Sequence, residues 1–166
     1  DGSAARAAAD TVAVQQGVEY RIEATLDDAS GVLRGRARLR YVNRSPFTLD
    51  TLWFHQHLNA FRPNSAWARR DLAELSIPTF QLLGPQEHAY ERLQLAEVDG
   101  VAVRPVYPGA PDSTVMGLPL RRPLRPGESV TVLLDWEARL ATVARRQGRR
   151  GRHHDFAHWY PRIAVV

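Results

Sequence analysis

From Val18 onward the chain keeps a two-residue rhythm: Val18, Tyr20, Ile22, Ala24 and Leu26 are apolar, with Glu19, Arg21, Glu23, Thr25 and Asp27 between them. Alternation of this kind is the signature of a strand with one buried face. After the turn-forming stretch Asp27 to Gly31 the rhythm resumes, with Leu33, Ala37, Leu39 and Tyr41 on one face and Arg34, Arg36, Arg38 and Arg40 on the other. The two runs predict a hairpin. Setting Leu26 opposite Leu33 places Glu23 opposite Arg36 and Glu19 opposite Arg40. The arginine row is therefore expected to be a solvated sheet face with cross-strand charge pairs rather than an anion-binding stripe.

The segment from Leu49 to Leu58 is apolar on both faces, as expected of a strand covered twice or lying under a loop. Asn59, Pro63, Asn64 and Ser65 mark an irregular connection, and Ser65 suits the N-cap of a short helix running to Leu75. Asp99-Gly100 between two apolar stretches predicts a two-residue hairpin of the primed type, whose second arm Pro105 and Pro108 confine to an edge or a loop. One short strand is expected ahead of the turn Arg125-Pro126-Gly127-Glu128, where Pro126 presets the first corner and Gly127 supplies positive φ at the second. The most regular run follows, with Val130, Val132, Leu134, Trp136, Ala138 and Leu140 on one face. Several strands with little helix predict an all-β fold, an antiparallel β-sandwich over residues 18–166 behind a flexible leader at residues 1–17.

A length of 166 residues suits one domain with a real core. No apolar run approaches the roughly 20 residues of a membrane-spanning helix. The basic side chains are all Arg, with no Lys, and the net charge is a modest +4. Because most arginines alternate with apolar residues along strands and lack interleaved aromatics, nucleic acid is not an expected partner. The absence of cysteine excludes disulfides, thiolate metal sites and a thiol nucleophile, and leaves the compartment open. The small, polar opening stretch has no charged n-region followed by an apolar h-region. It fits what remains after removal of a signal, hence a periplasmic or secreted location, and equally a low-complexity cytoplasmic start.

Several segments together resemble the N-terminal domain of the zinc aminopeptidases of the aminopeptidase N family, especially their bacterial relatives. They are YRIEATLD; VLRGRARLRYVNRSP, with Asn43 and Ser45 in the family's Asn-x-Ser pattern; LWFHQHLNAF; LPLRRPLRPGESVTVLLDW; and RQGRRGRHHDFAHWYPRIAVV. Their order and spacing cover about residues 18–166. The resemblance implies a noncatalytic β-domain that packs against a thermolysin-like catalytic domain of the same protein. That domain would hold the zinc with H-E-x-x-H and a later Glu, and would take peptide substrates. None of those motifs stands in this chain, so no cofactor is expected in it, and it reads as an inactive piece of a longer enzyme, incomplete at its C-terminal end. The family's N-terminal domain can lend a polar side chain to the substrate's amino end. Here Asp155 and His158 are the candidates for that groove, although the family's usual Gln or Glu has no fixed counterpart in this stretch.

The residues themselves offer other chemistry to weigh. His154, Asp155 and His158 nearly spell H-E-x-x-H, but Asp is shorter than the Glu base, no carboxylate ligand follows, and Pro161 disfavours helix just before it. A looser metal site on His153, His154 and His158 competes with a polar loop, and the loop is the simpler reading. His55 and His57 are expected on one face of a strand. Arg145 to Arg152 form one basic run, expected to be a mobile solvated loop. Met116 reads as a strand residue and the tryptophans as core aromatics, although Trp67, Tyr107 and Trp159 define a rival, a free-standing sandwich that binds carbohydrate or a protein.

Overall fold

The expected hairpin forms in the computed structural model, which describes residues 17–143 and 147–164. In chain order the elements are β1 (Gly17–Asp27), β2 (Val32–Val42), β3 (Leu49–His55), a 3-10 turn (His57–Phe61), α1 (Ala66–Leu75), β4 (Tyr90–Val98), β5 (Val101–Ala102), β6 (Val115–Leu124), β7 (Ser129–Arg139), β8 (Gly148–Arg150), β9 (His153–Asp155) and β10 (Arg162–Ile163). Of the leader, only Gly17 falls among the described residues, where it opens β1; Arg145, Arg146, Val165 and Val166 also lie outside them.

β1 and β2 pair antiparallel with Leu26 opposite Leu33, Glu23 opposite Arg36 and Glu19 opposite Arg40, the register the sequence implies. Gly31 closes the turn at φ 67°, where glycine is favoured, and donates its N–H to the Asp27 carbonyl at 2.8 Å. The ion pairs, however, form elsewhere. Arg36 turns from Glu23 to make two bonds of 2.7 Å with Asp135, and Arg34 reaches Glu137 at 3.7 Å. Both acids belong to β7, which flanks β2 on its other side. A planar guanidinium gains more from a bidentate carboxylate than from a single contact.

The strands form a five-stranded sheet, β1-β2-β7-β4-β5, and a three-stranded sheet, β10-β3-β6, with β8 and β9 as a separate ribbon. β7 runs through the middle of the larger sheet, and its alternation is fully realised: Val130, Val132, Leu134, Trp136, Ala138 and the following Leu140 are all buried. They share one core with Leu52 and Phe54 of β3 and Met116 and Leu118 of β6, which makes an antiparallel β-sandwich. β6 is longer than expected, ten residues, and contains Pro119 and Pro123. It lies at a sheet edge, where a missing N–H interrupts no second ladder.

Two polar residues of the Asn-x-Ser pattern lock the end of β2 to the end of β6. Asn43 is buried and donates to the Phe47 carbonyl at 2.7 Å and the Leu124 carbonyl at 3.0 Å, while its Oδ1 accepts from the Ser45 hydroxyl at 2.7 Å. The Gly127 N–H of the Pro-Gly turn, at φ 83°, bonds the Asn43 carbonyl at 2.7 Å. Elsewhere Asp99 and Gly100 both take positive φ in the tight β4–β5 turn, and β5 stops after two residues ahead of Pro105. Ser65 caps α1 by accepting the Ala68 N–H at 3.0 Å.

Besides the pairing of β10 with β3, two side chains attach the terminal segment to this scaffold. The Tyr20 hydroxyl of β1 donates to the Pro161 carbonyl at 3.2 Å and accepts the Ile163 N–H at 2.8 Å, and burial raises its pKa well above a phenol's ordinary value. Trp136 donates its indole N–H to the Trp159 carbonyl at 3.1 Å. Its ring lies across Gly35, where an added Cβ would stand 2.2 Å from Cζ2. Gly35→Ala is therefore expected to lower stability by about 1–3 kcal/mol through forced displacement of the indole, read as a lower urea midpoint at unchanged m-value.

Candidate functional site

β3 does not continue to His57, as the apolar run had suggested. Gln56 leaves the strand with its N–H on the Thr114 carbonyl at 2.9 Å, and a 3-10 turn begins at His57, with the Asn59 N–H on the Gln56 carbonyl at 3.2 Å. The two imidazoles still meet, because the turn folds His57 back: the His55 and His57 rings stack at 5.0 Å. His158, arriving from the other end of the sequence at φ 50°, places its ring 4.7 Å from that of His57.

These side chains open onto a cavity of about 430 Å³ lined by His57, Ala60, Phe61, Trp67, Gln147, Ala157 and His158. Phe61 and Trp67 are 4.8 Å apart, and both rings contact Phe80 beneath them. Trp67 is 37% exposed, so it is a surface aromatic and not the core residue expected for it; Trp136 alone of the four tryptophans is fully buried. Burial, followed by the neighbouring His158, His55 and Arg162, pushes the His57 pKa down to about 4. The ring is therefore neutral at physiological pH. The cavity also holds a residue that no sequence feature marked. Gln147 is buried, yet its Oε1 has no hydrogen-bond partner.

The HDFAH stretch takes a form other than the plain loop expected for it. His153 to Asp155 form β9 against β8, and a left-handed His158 ends the connection, so no helix brings His154 and His158 onto one face. Asp155 contacts His153 Nε2 at 3.1 Å and is not part of the cavity wall, whereas His158 is. Among the described residues no group of three His, Cys, Asp or Glu side chains could hold a metal ion. Of the basic run, Arg145 and Arg146 lie outside the described residues, and the part from Gln147 to Arg152 is held by contacts instead of being a free solvated loop. Arg149 braces the ribbon by donating to the Leu140 carbonyl at 3.1 Å and the Gln86 carbonyl at 2.6 Å, and Arg152 pairs with Asp28 at 2.6 Å.

A second polar cavity, about 270 Å³, is lined by Gln56, Asn59, Glu91, Tyr107 and Ser113 among others. Glu91 is 3% exposed and neither carboxyl oxygen is hydrogen-bonded. Burial raises its pKa well above the ordinary carboxylate value; the Leu58 N–H approaches closely enough to lower it slightly, without hydrogen-bonding geometry. The acid is held in place through its backbone, which exchanges bonds of 2.9 Å with the Asn59 side chain in both directions. Tyr107 thus belongs to this cavity, Trp67 to the first, and Trp159 packs on Trp136 at 6.1 Å, so the three aromatics do not form one platform.

No family model and no curated protein matches the chain. Solved structures similar to it are M1 zinc metallopeptidases. One from Deinococcus radiodurans aligns with a TM-score of 0.47 and 20% identity, over 82% of this chain and 24% of that one. A mutant of the same protein bound to a Tyr-Ser-Ala substrate gives 0.47 and 19%, over 80% and 24%. A two-domain M1 zinc metallopeptidase mutant bound to L-tryptophan gives 0.45 and 20%, over 76% and 21%. The chain spans less than a quarter of the length of these proteins.

Two pH effects follow from the buried groups. His57 has a folded pKa of about 4 against 6.5 for the free group, so its contribution is present above pH 6.5 and is lost as pH falls toward 4. Water screens the half-buried ring, so His57→Gln should remove a loss of only about 1 kcal/mol, measured by urea unfolding at a series of pH values. Glu91 has the opposite sign: its folded pKa is raised, so stability falls as pH rises above 4.5. Glu91→Gln is expected to be more stable than the parent above that pH, by a margin that widens with pH. The two slopes oppose each other between pH 4.5 and 6.5, and each is read as the difference between variant and parent.

Proposed function

We propose that this chain is the noncatalytic N-terminal β-domain of a zinc-dependent aminopeptidase-like metallopeptidase. In this reading it packs against the catalytic domain and walls one side of the groove that receives a peptide's amino end. The observation that carries the proposal is Gln147, a buried side-chain amide whose oxygen lacks a donor and lines an open, aromatic-walled cavity. An unpaired buried acceptor costs roughly 1–3 kcal/mol, a penalty that an incoming N–H removes. A peptide's amino end is such a donor. Neutral His57 avoids repelling its positive charge, and Phe61 and Trp67 offer apolar surface to a side chain. Gln147 thereby takes the part of the family's Gln or Glu, with His158 beside it, while Asp155 serves the β8–β9 ribbon that carries both.

The residues described here do not fit a zinc site, because HDFAH lies on a strand and a left-handed bend. In the proposal the metal and its Lewis-acid chemistry belong to the catalytic domain, and nothing in this chain takes a step through them. A second reading rests on the exposure of Trp67: a free-standing module that holds a glycan or a protein on that aromatic.

The reading frame past Val166 is expected to encode H-E-x-x-H and a later Glu. In the protein carrying both parts, Gln147→Leu should reduce kcat/KM on aminoacyl substrates by about tenfold or more without changing the zinc content. A frame without those motifs, together with saturable glycan or protein binding that Trp67→Ala abolishes, would establish the second reading instead.

A further inference from the structure

β1 forms one flank of the five-stranded sheet, and among the described residues no strand pairs with its outer side. An eleven-residue edge presents a row of backbone donors and acceptors to any strand that can approach it. Charged side chains usually deter such an approach. On β1 they are ordered so that they select one.

In an antiparallel pair, directly opposite residues project to the same face. Two copies of β1 can therefore keep their buried faces together only in registers that set odd residues against odd and even against even. With Ile22 opposite Ile22 of a second copy, Arg21 meets Glu23 and Glu23 meets Arg21 on the polar face. On the inner face Tyr20 meets Ala24, and Val18 meets Leu26. The two adjacent registers lack this match, and centring on Tyr20 or Ala24, which sets Arg21 against Glu19 or Asp27, leaves Leu26 or Val18 without a partner on the strand. Centring on Arg21 sets Arg21 against itself and Glu19 against Glu23, and centring on Glu23 sets that carboxylate against itself. Like charges directly opposite are destabilising.

The side chains involved are available. Arg21 and Glu23 are 85% and 74% exposed, and they approach each other along the strand at 4.0 Å. Val18 and Leu26, at the two ends of the same edge, are 37% and 38% exposed, unusual for large apolar residues on a sandwich strand. From inside, the Tyr20 hydroxyl ties β1 to Pro161 and to Ile163 of β10, a contact on the inner face that pairing at the outer edge leaves in place.

We propose that β1 pairs antiparallel with β1 of a second copy of this chain about a two-fold axis at Ile22, joining the two larger sheets edge to edge. The arrangement is isologous, so each Arg21–Glu23 contact occurs twice, and every apolar contact between Val18 and Leu26 is repeated across the axis.

Sedimentation velocity on the full chain across the micromolar range tests this, with dimer formation expected as concentration rises. Arg21→Glu sets like charges together at both crossing points, yet it faces Arg38 within its own hairpin, so the monomer keeps its fold. Its dimer dissociation constant should rise about tenfold or more. Adding Glu23→Arg restores opposite charges at both points and is expected to return the dimer. Circular dichroism at low concentration verifies that each variant is folded. Salt supplies a readout independent of the double variant: screening should weaken the parent dimer and strengthen that of Arg21→Glu. A chain monomeric throughout, a dimer indifferent to Arg21→Glu, or salt effects of the reverse sign would overturn the proposal.

Discussion

The contact on which the rest of the molecule depends is the indole of Trp136 laid across Gly35. It occupies the space that a side chain at Gly35 would fill, and its N–H holds the Trp159 carbonyl at 3.1 Å. One side chain thus joins the middle of the larger sheet, the adjacent strand and the terminal segment. Because the terminal segment also delivers His158, the position of the candidate site is set from the core, through a hydrogen bond and close packing. A buried aromatic with one polar atom is suited to this, since the ring fixes direction and the N–H must find a partner.

Local features were legible wherever the chain's neighbours in space are also its neighbours in sequence. The β1–β2 register, the left-handed Asp99-Gly100 turn and the Ser65 cap all follow from residues a few positions apart. So does the inward face of β7. Misreadings arose where a distant partner decided the outcome. Arg36 has an acid directly opposite on β1 but a better-shaped one on β7. The apolar run through Leu58 looks like continuous strand, and only the Thr114 carbonyl and the Asn59 clamp on Glu91 show why it turns at Gln56. The imidazoles of His57 and His158 lie about a hundred positions apart in sequence, and no spacing rule relates them. Gln147 and Glu91 were invisible for another reason. Polar residues are ordinary in a sequence, and only burial without a partner marks them out.

The charge distribution repeats one theme at two depths. On the surface Arg36 pairs with an acid of the neighbouring strand, Arg149 bonds loop carbonyls and Arg152 pairs with Asp28 in the β1–β2 turn. Beneath the surface, burial shifts two titratable groups toward their neutral forms, lowering the pKa of His57 and raising that of Glu91. The cavity that His57 shares with the unpaired Gln147 oxygen therefore carries a neutral imidazole at His57.

The Asn59 amide gives the two flanks of the larger sheet different fates. By trading bonds with both backbone groups of Glu91, it stands in for a neighbouring strand at the start of β4, while β5 covers Glu97 and Val98 at the other end. That margin is held at each end, leaving only the four residues from Arg92 to Leu95 for a newcomer. A sheet open along eleven residues on one margin and four on the other offers one favourable place for a further strand. A two-fold addition on the long margin uses it up, which separates a closed pair from a fibre.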